Sequence, residues 1–289
     1  MFSSKITVNA QTQLYGILGN PVDHSLSPLI HNTLFHELNL NSVYLAFRVE
    51  KESLGLAFEA IRSLGIRGVN VTIPHKEAVL EFVDEIPEDI DRSVGALNTV
   101  VNRDGKLYGY NTDGSGFLIA LKEELDFNPA GKNVLLLGAG GGARGAAFSL
   151  ARARAEKILI HNRTSERAEG LVNYLAEYFP ENDIQMMDSW ALLKKEKIDL
   201  VVNATSQGMR DSDEISFNLK LLNTKASVYD LIYSPKETKL FKLAKSLGLP
   251  CANGLGMLAT QAALSFELWT GKKEGVREKM LETLKKCLG

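Results

Sequence analysis

The sequence predicts an α/β protein of two domains, each built on a largely parallel sheet, and three observations carry that expectation. The first is the stretch from Asn133 to Leu150, NVLLLGAGGGARGAAFSL, which reads as a buried strand, a glycine turn and the start of a helix in unbroken succession. Val134 to Leu137 is apolar without alternation, as in a parallel strand covered on both faces. Gly138, Ala139, Gly140, Gly141, Gly142 and Ala143 then form a G-x-G-x-x-A turn. One glycine makes the bend, the next lets the backbone approach a pyrophosphate, and the small last residue brings helix close to strand. The second observation is the alternation of short strands with amphipathic helices on both sides of this turn, the pattern of βαβ units. The third is length: 289 residues suit two domains, each with a sizeable core.

Composition narrows the partners. The chain is 45% apolar and 24% charged with a net charge of −2, so no field draws in nucleic acid or anionic lipid. The N-terminal residues MFSSKITVNAQTQ lack the apolar core of a signal peptide, and no run approaches the roughly 20 apolar residues of a membrane span. Cys251 and Cys287 stand too far apart for a disulfide framework and lack neighbours at metal-ligand spacing, so they read as free thiols of a cytoplasmic protein with no metal.

Along the chain, Leu14 to Leu18 reads as a strand ended by Gly19-Asn20-Pro21. A helix follows with Ser27 as N-cap, Pro28 in its first turn, and Leu29, Ile30, Leu34 and Leu38 at helical spacing. Ser25 and Ser27 lie where free backbone N–H groups suit a carboxylate or phosphate, although capping alone would also explain them. Val43–Val49 alternates as a strand, Leu54–Leu64 as a helix, and Gly68–Ile73 as a strand closed by Pro74. Just beyond lie His75, Lys76 and Glu77, at the carboxyl edge where open α/β sheets bind ligands. Lys76 is there either a solvated surface residue or a catalytic one, and His75 a supporting or surface residue. Asp84–Val94 reads as a charged helix. Ala96–Asn102 and Lys106–Tyr110 pair as a hairpin around Arg103-Asp104-Gly105. Asp113, after Tyr110-Asn111-Thr112, caps a helix beginning near Ser115, serves a site, or does both.

The cofactor domain starts near Asp113, with a helix from Phe117 to Leu125 leading to the glycine turn. Its second strand, Lys157–His161, is where an NAD-binding unit carries an acid for the ribose 2′-hydroxyl. Here Asn162-Arg163-Thr164 follows instead, with Arg167 one turn on, and guanidinium in place of an acid suits a 2′-phosphate. A helix (Ser165–Phe179) and strands (Ile184–Met187, Leu200–Asn203, Val228–Ile232) continue the alternation. Ala204-Thr205-Ser206-Gln207-Gly208-Met209 and Tyr233 fall at carboxyl edges, Tyr233 as a ligand contact or an exposed loop aromatic. A turn, Asn253-Gly254-Leu255-Gly256, leads to helices Met257–Thr270 and Val276–Leu288. Gln261, on a face with Leu258, Ala262 and Phe266, is either a satisfied core amide or a ligand contact.

These loops in series resemble the shikimate dehydrogenase (AroE) family over nearly the whole chain. The resemblance rests on Gly19-Asn20-Pro21 with Ser25-Leu26-Ser27-Pro28, Asn70-Val71-Thr72-Ile73-Pro74-His75-Lys76-Glu77, Ala96-Leu97-Asn98-Thr99 and Asn111-Thr112-Asp113-Gly114. It continues through Gly138–Gly142, Asn162-Arg163-Thr164, Asn203-Ala204-Thr205-Ser206, Tyr229-Asp230, and Gly254-Leu255-Gly256-Met257 with Gln261. It implies a discontinuous α/β substrate domain, residues 1–112 and 254–289, and a Rossmann NADP-binding domain, residues 113–253. It also implies reversible NADPH-dependent reduction of 3-dehydroshikimate to shikimate, on the way to chorismate and the aromatic amino acids, by a monomer or homodimer. By the same resemblance Ser25 and Ser27, helped by Tyr233, hold the substrate carboxylate. Thr72, Asn98, Asp113 and Gln261 bind its hydroxyls, and Lys76 sits beside the reacting C3 oxygen with Asp113 as its catalytic partner. Gly138 to Ala143, Asn162, Arg163, Thr164, Arg167, Thr205, Met209 and Gly254 go to the cofactor. His75 departs from the family pattern. Two rivals remain: a quinate/shikimate dehydrogenase using NAD, against which Arg163 speaks, and a non-catalytic NADP-binding sensor, against which Lys76 and Asp113 speak.

Overall fold

The computed structural model describes residues 8–87, 93–194, 196–210, 212–213, 217–222 and 225–288. The chain divides into two compact units, Met1–Thr112 with Ala259–Gly289, and Asp113–Leu258. The return to the first unit thus falls inside a helix, Leu255–Thr270, whereas the sequence reading placed it at residue 254. At the start of that helix Gly254 lies against the Leu231 carbonyl with no room for a Cβ, and Gly256 lies against the end of the Glu124 side chain.

The first unit is a five-stranded sheet in the order β2-β1-β3-β4-β5. Strands β1 (Gln13–Gly19), β2 (Ser42–Arg48) and β3 (Gly68–Val71) are parallel, and β4 (Thr99–Arg103) and β5 (Lys106–Tyr110) close the edge antiparallel. Asp104 and Gly105 both take positive φ in the hairpin turn, the geometry that matches strand twist. Alternation divides β3 cleanly. Val69 and Val71 enter an aliphatic core with Leu18, Phe58, Ile61, Leu97 and Val100. Gly68 and Asn70 face the other way; there Gly68 lies under Trp269, in contact with Tyr15, His31 and Tyr44, and Phe35 and Phe266 complete the cluster.

Three local expectations change here. The Ser27–Glu37 helix has Leu26, not Ser27, at its N-cap, with no side-chain cap bond, because Ser27 has already entered the helix and turned inward. The strand of Gly68–Ile73 stops at Val71, and that of Ala96–Asn102 begins only at Thr99. The start of Asp84–Val94 is not helical: the Asp84 carboxylate accepts the Leu107 N–H and Arg62, and Glu85 bridges Tyr108. The part of that expectation on residues 88–92 lies outside the described residues.

The second unit is a six-stranded parallel sheet ordered β11-β10-β9-β6-β7-β8. Its strands are β6 (Asn133–Leu137), β7 (Lys157–His161), β8 (Asp183–Met186), β9 (Leu200–Asn203), β10 (Ser227–Asp230) and β11 (Cys251–Asn253). The winding runs outward from β6 to β8, returns to β9 beside β6, and continues outward to β11. The strand order therefore reverses between β6 and β9, where open α/β sheets hold their ligands. The sequence reading does not include β11 or the Lys239–Ser246 helix. Thr238 caps that helix by accepting the Phe241 N–H. The Asp113–Leu125 helix begins at Asp113 itself, so Asp113 is a first-turn residue and not a cap for a helix at Ser115. Among the described residues no helix is long and apolar enough to cross a membrane.

Candidate active site

In the first unit two of the polar residues singled out in the sequence, Asn98 and Gln261, belong to one buried network. Asn98, 2% exposed, is its hub. Its amide nitrogen donates to Thr112 Oγ1 at 2.9 Å and to Gln261 Oε1 at 3.2 Å, and its oxygen accepts the Thr112 backbone N–H at 2.7 Å. Thr99 and Ser265 share a hydroxyl bond of 2.7 Å, and Asn70 donates to the Asn98 carbonyl, Thr99 and Ser265. Such a cluster is stable in a low-dielectric interior only because its donors and acceptors meet one another. Gln261 is thus bonded to Asn98 from the Leu255–Thr270 helix. The sequence reading did not assign Asn70, Thr99, Thr112 and Ser265 to the site. Their signal was polar side chains at positions where strand and helix patterns call for apolar ones.

Lys76 follows the end of β3 and is half-buried, with its carbonyl accepting the Leu97 N–H at 2.8 Å. That bond fixes the lysine's loop one residue from Asn98. His75 is buried, not a surface residue: its Nε2 meets the Val49 carbonyl at 2.8 Å, and its backbone N–H reaches the Thr72 carbonyl. It thereby pins the turn between half-buried Thr72 and Lys76. Ser25 Oγ accepts the Ser27 N–H at 3.3 Å. Ser27 is 4% exposed and lies inside its helix, which has no side-chain cap bond. Asp113, directly after Thr112 in sequence, is buried at the start of the second unit, where Gly114 leaves room for the Ser149 hydroxyl.

The second unit's glycine turn has the geometry its sequence suggested. Gly138 takes φ 114°, a conformation that favours glycine, and lies against the Ala204 carbonyl. Gly140 and Gly142 face open space, and Gly140 caps the Gly141–Arg152 helix without a side-chain bond. The N–H groups of that first turn are therefore available to an anion, with the helix dipole behind them. Ala143 is fully buried where helix meets sheet. Beyond β7, Asn162 donates to the Thr164 carbonyl at 2.9 Å, while Arg163, Thr164 and Arg167 are exposed. A guanidinium pair with no acid at the strand end fits a 2′-phosphate.

At the ends of β9 and β10 a buried carboxylate organises both following loops. Asp230, fully buried, accepts from Asn203 at 2.9 Å, the Ile232 N–H at 3.1 Å and Thr238 at 2.6 Å, and burial raises its pKa despite these bonds. Asn203 in turn accepts the Thr205 hydroxyl at 2.7 Å. Thr205 is so held in the loop that ends at exposed Met209. Tyr233 is half-buried, and burial pushes its phenol pKa up.

Comparison with known proteins settles what this pairing of units is. Residues 17–100 match the shikimate dehydrogenase substrate-binding domain, 120–210 the shikimate/quinate 5-dehydrogenase domain, and 254–285 the shikimate 5′-dehydrogenase C-terminal domain. The shikimate dehydrogenase (NADP(+)) of Geobacillus kaustophilus is 46% identical over 90% of this chain and 93% of its own. The chain belongs to the shikimate dehydrogenase family. The shikimate 5-dehydrogenase of Thermus thermophilus, solved with NADP(H) and shikimate, superposes with a TM-score of 0.83 at 35% identity, covering 96% of this chain and all of that one (100%). The quinate dehydrogenase of Corynebacterium glutamicum, solved with NAD, gives 0.87 at 30% identity over 95% and 99%. Shikimate and quinate dehydrogenases thus share this architecture, and the residues at the sites must separate them.

Proposed function

We propose that the chain is an NADP-dependent shikimate dehydrogenase, reducing 3-dehydroshikimate reversibly to shikimate. The observation that carries this reading is the Asn98–Thr112–Gln261 network beside the Lys76 loop, a dense set of fixed donors and acceptors suited to a small polyhydroxylated acid. NADPH, when bound, supplies the hydride. The open first turn of the Gly141–Arg152 helix holds its pyrophosphate, with Gly138 to Ala143 as the cradle. Asn162, Arg163, Thr164 and Arg167 hold the 2′-phosphate, and Thr205, Met209 and Gly254 contribute at the other end of the cofactor.

Ser25 and Ser27 hold the substrate carboxylate, with Tyr233 contributing its phenol, and Thr72, Asn98 and Gln261 bind ring hydroxyls. Lys76 donates to the C3 oxygen as negative charge builds there, so its interaction is stronger in the transition state than in the ground state. Asp113 accepts from the substrate and acts with Lys76 as the catalytic pair. The two cysteines are free thiols, which suits a reducing compartment such as the cytoplasm.

The rival reading is the NAD-dependent quinate branch, favoured by the likeness to the C. glutamicum enzyme. One spectrophotometric experiment decides, with shikimate and NADP in one arm and quinate and NAD in the other. Faster turnover in the first arm is expected. Preference for quinate with NAD overturns the assignment, and no turnover in either arm points to a cofactor-binding sensor.

A further inference from the structure

The last residues of three neighbouring strands in the second unit are polar and lie in register, Asn203 of β9 beside Asp230 of β10, and Asp230 beside Asn253 of β11. Each bends its side-chain oxygen onto the backbone N–H two residues ahead, that of Thr205 at 3.2 Å, Ile232 at 3.1 Å and Leu255 at 3.1 Å. These bonds turn the chain as it leaves the sheet. Asp230, in the middle, ties the turns together. Its carboxylate also accepts the Asn203 amide at 2.9 Å and the Thr238 hydroxyl at 2.6 Å, and all three residues are buried.

Two stretches given above to the cofactor hang from that carboxylate. On one side Asn203, held by its amide nitrogen, presents its oxygen to the Thr205 hydroxyl at 2.7 Å, and Thr205 accepts the Gln207 N–H at 3.1 Å. Thr238 lies against Gly208 in the same loop, where φ is 108° and favours glycine. On the other side Ile232, held by its N–H, accepts the Gly254 N–H on its carbonyl at 3.2 Å. Three donors thus converge on Asp230. A carboxylate meets them without donating in return, which the nitrogen of an amide cannot do.

We infer that Asp230 is a positioning residue for the far end of the cofactor: through Asn203, Thr238 and the Ile232 turn it sets the stretches that carry Thr205, Met209 and Gly254. The inference rests on the reading that those three residues touch the cofactor.

Asp230→Asn is the test, because it keeps the shape of the side chain and replaces one accepting oxygen with a donor. Binding to the full chain is measured with two probes, NADP and adenosine 2′,5′-bisphosphate, which carries the 2′-phosphate but lacks the nicotinamide end. Asp230→Asn is expected to weaken NADP about three- to tenfold, the worth of one hydrogen bond, and to leave the bisphosphate within about twofold of the parent. Thr238→Val removes the hydroxyl and with it the shortest of the three bonds; it serves where Asp230→Asn does not fold, and should show the same selectivity. A control for simple loss of stability is Leu193→Ala, in the core of the same unit. It should lower Tm and leave both affinities unchanged. Met209→Ala probes the underlying reading and should weaken NADP alone. An unchanged NADP affinity in Asp230→Asn, with Met209→Ala weakening it, overturns the positioning role. Equal weakening of both probes by Asp230→Asn overturns it as well. An unchanged NADP affinity in Met209→Ala instead overturns the reading of that loop as a cofactor contact.

Discussion

In the proposed reading the two units bind their ligands by opposite physical means. The first unit offers fixed side chains: buried amides and hydroxyls of Asn98, Thr99, Thr112 and Ser265 that hold one another in place. The second offers backbone and surface charge, an open glycine turn at a helix N-terminus and exposed Arg163 and Arg167. The difference follows from the ligands. A compact polyol acid is distinguished from its analogues only by a rigid pattern of donors and acceptors, whose partners would be left unpaired by the wrong molecule. Phosphates carry enough charge to be held by helix N–H groups and guanidinium forks that keep contact with water.

The largest expected effect is chemical and lies on the substrate side. Lys76→Met keeps the length of the stem and removes the charge and the donors. It should lower kcat by roughly 10²- to 10⁴-fold with a modest change in shikimate KM, as for loss of a positioned acid or base. Turnover within a few-fold of the parent, in a variant that folds and binds NADP, would make Lys76 a surface lysine.

On the cofactor side, Arg163→Ala removes an exposed charge-assisted contact worth about 1.5 to 3 kcal/mol. The NADP KM should rise while the NAD KM stays nearly fixed. Equal losses with both cofactors would remove Arg163 from the 2′-phosphate site.

Mild acid should separate the units by stability. His31 in the first unit is fully buried among Phe35, Tyr44, Phe266 and Trp269, its two ring nitrogens have no hydrogen-bond partner among the described residues, and burial lowers its pKa from 6.5 to about 3. Between those values the unfolded chain binds the proton and the folded one does not. Stability is therefore full above about pH 6.5 and falls by about 1.4 kcal/mol per unit as pH drops below it. Tyr15 and Tyr44 do not titrate in this window, since burial raises both. In the second unit the buried Asp230 has the opposite sign: its pKa is raised, so its contribution is present at low pH and lost as pH rises. Each unit holds one of the chain's two tryptophans, Trp269 beside His31 and Trp190 against Phe217. Acid melts of Trp190→Phe, followed by Trp269 fluorescence, should show a slope between pH 6.5 and 5 that His31→Phe flattens. An unchanged slope in His31→Phe would assign the acid sensitivity elsewhere.

Legibility in the sequence followed the same division. The cofactor side was readable because its signals are local: a strand, four glycines and a helix start within one stretch, and an arginine where an acid was due. The substrate side was readable only at its punctuation, in Asn-Pro, Ser-Pro and the Pro74-His75-Lys76 turn. Its network joins residues as distant in sequence as Asn70 and Ser265, and no local pattern announces such a bond. Ser27 read as a cap because serine before Pro28 usually is one, yet the helix already includes it, with Leu26 at the N-cap, and the fold buries it. The Asp84 segment looked helical by charge spacing, but its carboxylates serve as acceptors for a strand edge and an arginine. Strand β11, with three residues, is too short to show a period at all.

The division of labour is tested most directly by steady-state kinetics on two single variants measured side by side, Gln261→Ala and Arg163→Ala, with shikimate and NADP varied independently. Gln261→Ala removes the amide proposed to bind a ring hydroxyl and leaves Asn98 bonded to Thr112. The account predicts that Gln261→Ala raises the shikimate KM by about two- to tenfold with the NADP KM unchanged, and that Arg163→Ala does the reverse. A variant that shifts both constants equally would contradict it.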